Sequence, residues 1–67
     1  MTQEKANRII SILNNYDDVE VRMEHIASEV KLLIIAQPSA VAVVNAIIEH
    51  ENMKCTQDKR VLFSVFS

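Results

Sequence analysis

Apolar residues recur at helical spacing near the start of the chain. Within residues 3–14, side chains three and four positions apart fall on one face: Ala6, Ile9, Ile10 and Leu13. Thr2 precedes this run, and threonine is one of the residue types that cap helix N-termini. The pattern predicts a first helix over residues 3–14.

The next segment fits two periodicities. Val19 and Val21 alternate with charged neighbours, as in a half-buried strand. Counted at helical spacing instead, Val19 shares a face with Met23 and Ile26. Residues 16–22 therefore stay open between strand and helix, and we favour a short extended piece at Val19–Val21.

A second helix is predicted over residues 23–35. Its last residues, 32–35, are apolar all round, which indicates burial on several sides. Pro38 disfavours helical geometry at Gln37, so we expect a boundary between two helices there.

The last part of the chain changes character. A third helix is predicted over residues 39–52, with Ser39 as its N-cap. Residues 53–67 are rich in β-favouring side chains, and the polar residues 57–59 separate two such runs. Together the elements predict an α+β domain in which three helices precede a C-terminal β-hairpin. No internal sequence repeat is visible.

This order of elements resembles the winged helix-turn-helix superfamily. Three segments carry the resemblance: Ile26-Ala27-Ser28-Glu29-Val30, Pro38-Ser39-Ala40-Val41, and the hairpin from Lys54 to Phe66. The first resembles the helix that packs under the recognition helix, the second resembles the start of that recognition helix, and the third resembles the wing. The resemblance implies a three-helix winged-helix-like domain that binds DNA.

Composition restricts the class of function. The chain has 67 residues, which suits a single domain over residues 1–67. It has no glycine, so glycine-rich loops that hold phosphates or dinucleotides are excluded. Cys55 is the one cysteine, and His25 and His50 lack a closed ligand set. We therefore expect no enzyme, no metal, no cofactor and no small-molecule substrate.

Two features predict a cytoplasmic chain that does not enter a membrane. No apolar signal segment follows the N-terminal charges, and an unpaired cysteine suits a reducing compartment. Residues 32–48 carry no charge, but Pro38 interrupts a run that is already at the short limit for a spanning helix.

The resemblance implies a DNA-binding surface on the third helix and the hairpin. The candidate DNA- or partner-binding residues are Ser39, Asn45, Lys54, Lys59 and Arg60. The basic ones suit the phosphate backbone, and Asn45 suits an adenine edge. However, the formal net charge is −2 and residues 39–52 contain neither lysine nor arginine.

Two functions follow from these observations. The order of elements favours a small DNA-binding transcriptional regulator, whereas the composition favours a protein-interaction module that acts as an inhibitor or adaptor. The partner therefore stays undecided between DNA and protein.

The C-terminal run is apolar on both faces of a strand. The candidate self-association residues are Leu62, Phe63, Val65 and Phe66. One face can pack on the helices, and the other then needs cover, because strands with two apolar faces are normally buried on both. A homodimer is the expected source of that cover.

Overall fold

The computed structural model of the chain describes residues 1–58 and 62–66. In chain order the elements are α1 (Gln3–Leu13), β1 (Val19–Ile26), β2 (Glu29–Ala36), a 3-10 turn (Pro38–Ala40), α2 (Val41–His50), β3 (Lys54–Asp58) and β4 (Leu62–Phe66). The strands form one antiparallel sheet in the order β1-β2-β4-β3. Both helices contribute to a single core on one face of that sheet.

The prediction of a three-helix winged-helix-like domain is wrong, because residues 23–35 do not form a helix. They contain the end of β1, a two-residue turn and most of β2. The two strands pair antiparallel from Val19 with Ala36 to Ile26 with Glu29. The described chain therefore has two α-helices and a four-stranded sheet.

Alternation, not helical spacing, describes the burial of this segment. In β2 the buried side chains are every second residue: Val30, Leu32, Ile34 and Ala36. The helical interpretation needed Ile26 in the core, but Ile26 is 56% exposed. Valine and isoleucine are stiff at χ1 and pack well on a pleated surface, which favours the strand where both periodicities fit.

The turn between β1 and β2 is made by Ala27 and Ser28. Ala27 has a φ of 56°, in the left-handed region that glycine adopts most easily. A positive φ at the first of two central residues is a feature of type II′ hairpin turns. No glycine, asparagine or proline marks this turn in the sequence, so the sequence pattern favours a continuous helix here.

The two other helices are confirmed. Residues Gln3–Leu13 form α1, and the Lys5 amide donates to the Thr2 hydroxyl over 3.2 Å, as expected of a capping threonine. The predicted third helix corresponds to α2, Val41–His50. Ser39 does not cap it, because Ser39 lies within the preceding 3-10 turn, with its Oγ 3.5 Å from Asp18 Oδ2.

The C-terminal pairing is part of the larger sheet. Strands β3 and β4 pair antiparallel, and β4 also pairs with β2, so β4 is a central strand and not the edge of a projecting wing. Residues 57 and 58, predicted as turn, belong to β3. The third residue of that predicted turn, Lys59, lies outside the described residues.

The chain consists of two helix-hairpin units in tandem. The first is α1-β1-β2 and the second is α2-β3-β4. They meet where β2 pairs with β4, so the order β1-β2-β4-β3 reads the same for the two units from either edge. The fold thus has internal structural repetition although the sequence shows no repeat.

Candidate interaction surface

In the described part of the chain, one face of the sheet carries no helix, and we call it the open sheet face. The helices cover the alternate residues that face them, such as Leu32 and Ile34 of β2. Successive strand residues point to opposite faces, so the intervening positions form the open sheet face. Its side chains, from β1 through β2 and β4 to β3, include Glu20, Arg22, Glu24, Lys31, Leu33, Ile35, Leu62, Ser64, Phe66, Lys54, Thr56 and Asp58.

The centre of the open sheet face is apolar. Leu33 and Ile35 lie on β2, and Leu62 and Phe66 lie on β4, the two central strands. Ile35 pairs with Leu62 in the sheet register. Ile35 is 44% exposed and Phe66 is 37% exposed, while Leu33 and Leu62 are half-buried. Large apolar side chains therefore face away from the core side by side.

Charged and polar side chains border this centre on both edge strands. Glu20, Arg22 and Glu24 alternate along β1, and all three are exposed. Lys54 and Asp58 lie on β3 and are exposed as well. An apolar centre inside a polar rim is the usual anatomy of a protein-binding surface.

The four predicted self-association residues divide between the two faces. Phe63 and Val65 are fully buried beneath the helices, where they belong to the core. Leu62 and Phe66 point to the open sheet face. The alternation of a strand makes this division unavoidable, and it leaves two of the four residues available for a partner.

The three DNA- or partner-binding candidates that the structure describes do not form one surface. Ser39 and Asn45 are exposed on the helix layer, while Lys54 lies on β3 with its side chain on the open sheet face. The helix layer and the open sheet face are opposite sides of the sheet. Lys59 and Arg60 lie outside the described residues.

A second exposed apolar region lies between the helices. A groove of about 390 Å³ runs between Ile12 and Tyr16 on one side and Val43 and Ile47 on the other. Glu51 borders it, and its carboxylate pairs with Arg8 of α1 at 2.7 Å. This ion pair links α1 to the residue that follows α2.

Cys55 is placed on the helix-covered side of β3. It is half-buried and packs against the core. Burial raises the pKa of its thiol above the ordinary value, so less thiolate is present at neutral pH. This placement agrees with a small packing residue.

Sequence reasoning did not assign Leu33, Ile35 or the charged residues of β1 to an interaction surface. The signal was present, because residues 32–35 are apolar on every side. A helix and a strand buried on both faces produce the same continuous apolar run. Once the run is assigned to a strand, half of it must face away from the helices.

Comparison of the chain with protein-family models, with curated proteins and with solved structures gives no match. Within residues 1–58 and 62–66, no three histidine, cysteine or acidic side chains come together as metal ligands would. None of the helices in the described part of the chain has the length and apolarity to cross a bilayer. The geometry of the chain itself is what supports a functional proposal.

Proposed function

We propose that this chain is a non-enzymatic protein-interaction module that binds a protein partner through the open sheet face. The observation that supports this proposal is the exposed apolar centre formed by Leu33, Ile35, Leu62 and Phe66. Contiguous exposed apolar surface on a small domain is typical of binding sites, because water contact with it is unfavourable. A partner that covers this surface removes the unfavourable contact with water.

The position of the apolar residues strengthens the proposal. They lie on β2 and β4, the central strands, while most of the charged residues lie on the edge strands β1 and β3. Glu29 and Lys31, at the start of β2, are the exceptions. A solvent-facing sheet would be expected to carry polar side chains at its centre, as antiparallel sheets with one wet face usually do. The rim charges fix orientation and partner choice more than affinity.

The charges of the open sheet face favour protein over nucleic acid. Among the described residues its acidic side chains are Glu20, Glu24, Glu29 and Asp58, and its basic side chains are Arg22, Lys31 and Lys54. Binding to phosphate backbones depends on a cation excess, which this mixed rim does not supply. DNA binding by the chain stays a prediction, and it no longer has a winged-helix fold to support it.

Site-directed photo-crosslinking in the cells that express the chain tests this proposal. A benzophenone side chain replaces Thr56, an exposed residue on the rim of the open sheet face. The matched control replaces Asn45, which is also polar, uncharged and exposed but lies on α2. We expect protein adducts from position 56 and far fewer from position 45.

Two results would contradict the proposal. Equal adducts from both positions, or adducts from position 45 alone, would remove the open sheet face as the binding surface. A purified chain that binds duplex DNA at low salt, with affinity that falls steeply as salt rises, would replace protein by DNA as the partner class.

A further inference from the structure

We propose that the occupant of the open sheet face is a second copy of this chain, packed face to face about a two-fold axis that runs along the strands. This inference rests on the proposed function, because it names the partner of the same surface. Three observations support it: the size of the face, the arrangement of its apolar residues and the charges of its two rims.

The width of the face matches a second sheet better than a single helix. Four strands spaced about 4.8 Å apart make a sheet about 19 Å wide, whereas a helix with its side chains is roughly 10 Å across. With strands of eight and five residues, the face covers roughly 400 Å² in projection. Side-chain relief makes the accessible surface larger, so two copies bury on the order of 1,000 Å² or more, which reaches the size of a specific interface.

The strand order makes the row of Ile35 and Leu62 self-complementary, while Leu33 lies over Ser64 and Phe66 lies over Lys31 of the second copy. A two-fold axis along the strands, between β2 and β4, places β2 of one copy over β4 of the other and keeps each residue row at the same height. Ile35 and Leu62 share one row. Ile35 of each copy therefore lies over Leu62 of the other copy. Packed sheets are about 10 Å apart, which side chains of this size fill.

The same axis places the β1 rim over the β3 rim of the second copy. Glu24 pairs with Lys31, and Lys54 pairs with Phe66. Continuing the β2–β4 register by one residue sets Lys31 beside Phe66, so Glu24 and Lys54 are at the two ends of one row. Within one copy they are three strand spacings, or about 14 Å, apart, but in the dimer they face each other.

The other end of the rims is less favourable. Glu20 and Asp58 also share a row, through Ile35 and Leu62, and both are acidic. Arg22 lies between Glu20 and Glu24 on β1, so its long side chain can reach Asp58 of the second copy from the neighbouring row. Each dimer has two such rims by symmetry.

Sedimentation equilibrium of the purified full chain over a wide concentration range is the first test. We expect a monomer–dimer equilibrium that Ile35→Lys weakens by roughly thirtyfold or more, the effect of a central interface residue. Tyr16→Lys is the matched control, because Tyr16 is exposed to 40%, like Ile35 at 44%, but lies on the helix side. The control leaves the dissociation constant unchanged, and circular dichroism verifies that both variants fold.

Charge reversal at the rims is the second test, and it does not depend on the core. Glu24→Lys and Lys54→Glu each weaken the dimer by roughly fivefold, and the double variant restores it. At about 14 Å the two side chains are beyond the screening length of about 8 Å at physiological salt, so coupling between them has to be intermolecular. Additive weakening in the double variant would overturn the two-fold arrangement.

The failure of this inference is distinguishable from the failure of the proposed function. A chain that stays monomeric at all concentrations, yet crosslinks from position 56 to a different protein, overturns the homodimer and keeps the interaction module. A monomeric chain without protein adducts from position 56 overturns both. A dimer that Tyr16→Lys disrupts and Ile35→Lys does not would move the interface to the helix side.

Discussion

The two faces of the sheet are built from the same strands but differ in what covers them. On the helix side, Leu32, Ile34, Phe63 and Val65 are almost completely buried. On the open side, Leu33, Ile35, Leu62 and Phe66 of the same two strands are also apolar, yet they are partly exposed. A strand with one solvated face normally alternates apolar with polar residues. The central strands of this chain therefore have the composition of strands covered on both sides, and the helices account for only one.

The largest difference in the free energy of unfolding between the two faces is expected for phenylalanine substitutions. Phe63→Ala should lower the free energy of unfolding by about 3–5 kcal/mol, because it empties a fully buried site. Phe66→Ala should cost less than about 1.5 kcal/mol, because the side chain is already 37% exposed. Urea unfolding at low protein concentration measures both.

A loss of about 3–5 kcal/mol approaches the whole stability of a domain of this size, so Phe63→Leu serves as a milder companion. Equal losses at positions 63 and 66 would contradict the assignment of the two faces.

Two adjacent leucines give a closer comparison. Leu32→Ala should cost about 2–5 kcal/mol, because Leu32 is fully buried against the helices. Leu33→Ala should cost about 1 kcal/mol in the monomer, because Leu33 is only half-buried on the open sheet face.

Protein concentration sharpens this comparison. If a partner copy covers the open sheet face, thermal unfolding of the parent chain shifts to higher temperature as concentration rises, and Leu33→Ala reduces that shift. Leu32→Ala lowers the melting temperature at every concentration instead. A Leu33→Ala chain that keeps the full concentration dependence would argue against the open sheet face as the dimer surface.

The register that separates the faces depends on the β1–β2 turn. A slip of one residue would exchange the two faces, so the turn has to hold its geometry. Ala27→Gly should raise the free energy of unfolding by about 0.5–1 kcal/mol, because it relieves the positive φ of 56°.

The exposed helical residue Ala42 is the matched control. There the same change should lower stability by about 1 kcal/mol, since glycine is unfavourable within a helix. Destabilisation by both variants would show that Ala27 is not strained, and unfolding curves recorded in parallel decide between these outcomes.

The smallest expected difference is in the alkylation rate of thiols on the two faces. Burial raises the pKa of Cys55, so its thiolate forms at higher pH than in an ordinary cysteine and its alkylation near neutral pH is slow. At a protein concentration low enough to keep the chain monomeric, a cysteine introduced by Thr56→Cys, in a chain that also carries Cys55→Ser, should react faster, because position 56 is exposed on the other face.

Iodoacetamide labelling followed by mass spectrometry over a pH series measures both rates. Equal rates at all pH values would mean that Cys55 is as accessible as the open sheet face.

The sequence allowed prediction of the elements whose local signals agree. Residue Thr2 and the apolar stripe behind it define α1, and the alanine-rich residues after Pro38 define α2. The β1–β2 hairpin was not predicted from the sequence, because its strands also fit helical spacing. In addition, its turn uses Ala27, a residue type that rarely adopts a positive φ. The valine and isoleucine content favours the strand only weakly, and the pairing of the strands in the sheet decides between the two interpretations.

The candidate surface was predictable in part. Leu62 and Phe66 were identified because a two-sided apolar strand needs a second cover. Phe63 and Val65 were assigned with them, since a sequence does not say which face of the strand meets the helices. Leu33 and Ile35 could not be added while their segment was taken for a helix. Their contribution depends on β2 and β4 being neighbours, which is a long-range property.

The pairing of β2 with β4 also has a kinetic consequence. Each hairpin closes locally. The junction of the two helix-hairpin units, in contrast, joins residues 32–35 to residues 62–65, with α2 and β3 lying between them in the chain. Closing that longer loop has the larger entropic cost, so the junction is where the folding barrier is expected to arise. A protein built from two locally formed units would then fold at the rate at which β2 and β4 find each other, and its transition state would contain Ile34 and Phe63 before either edge strand is complete.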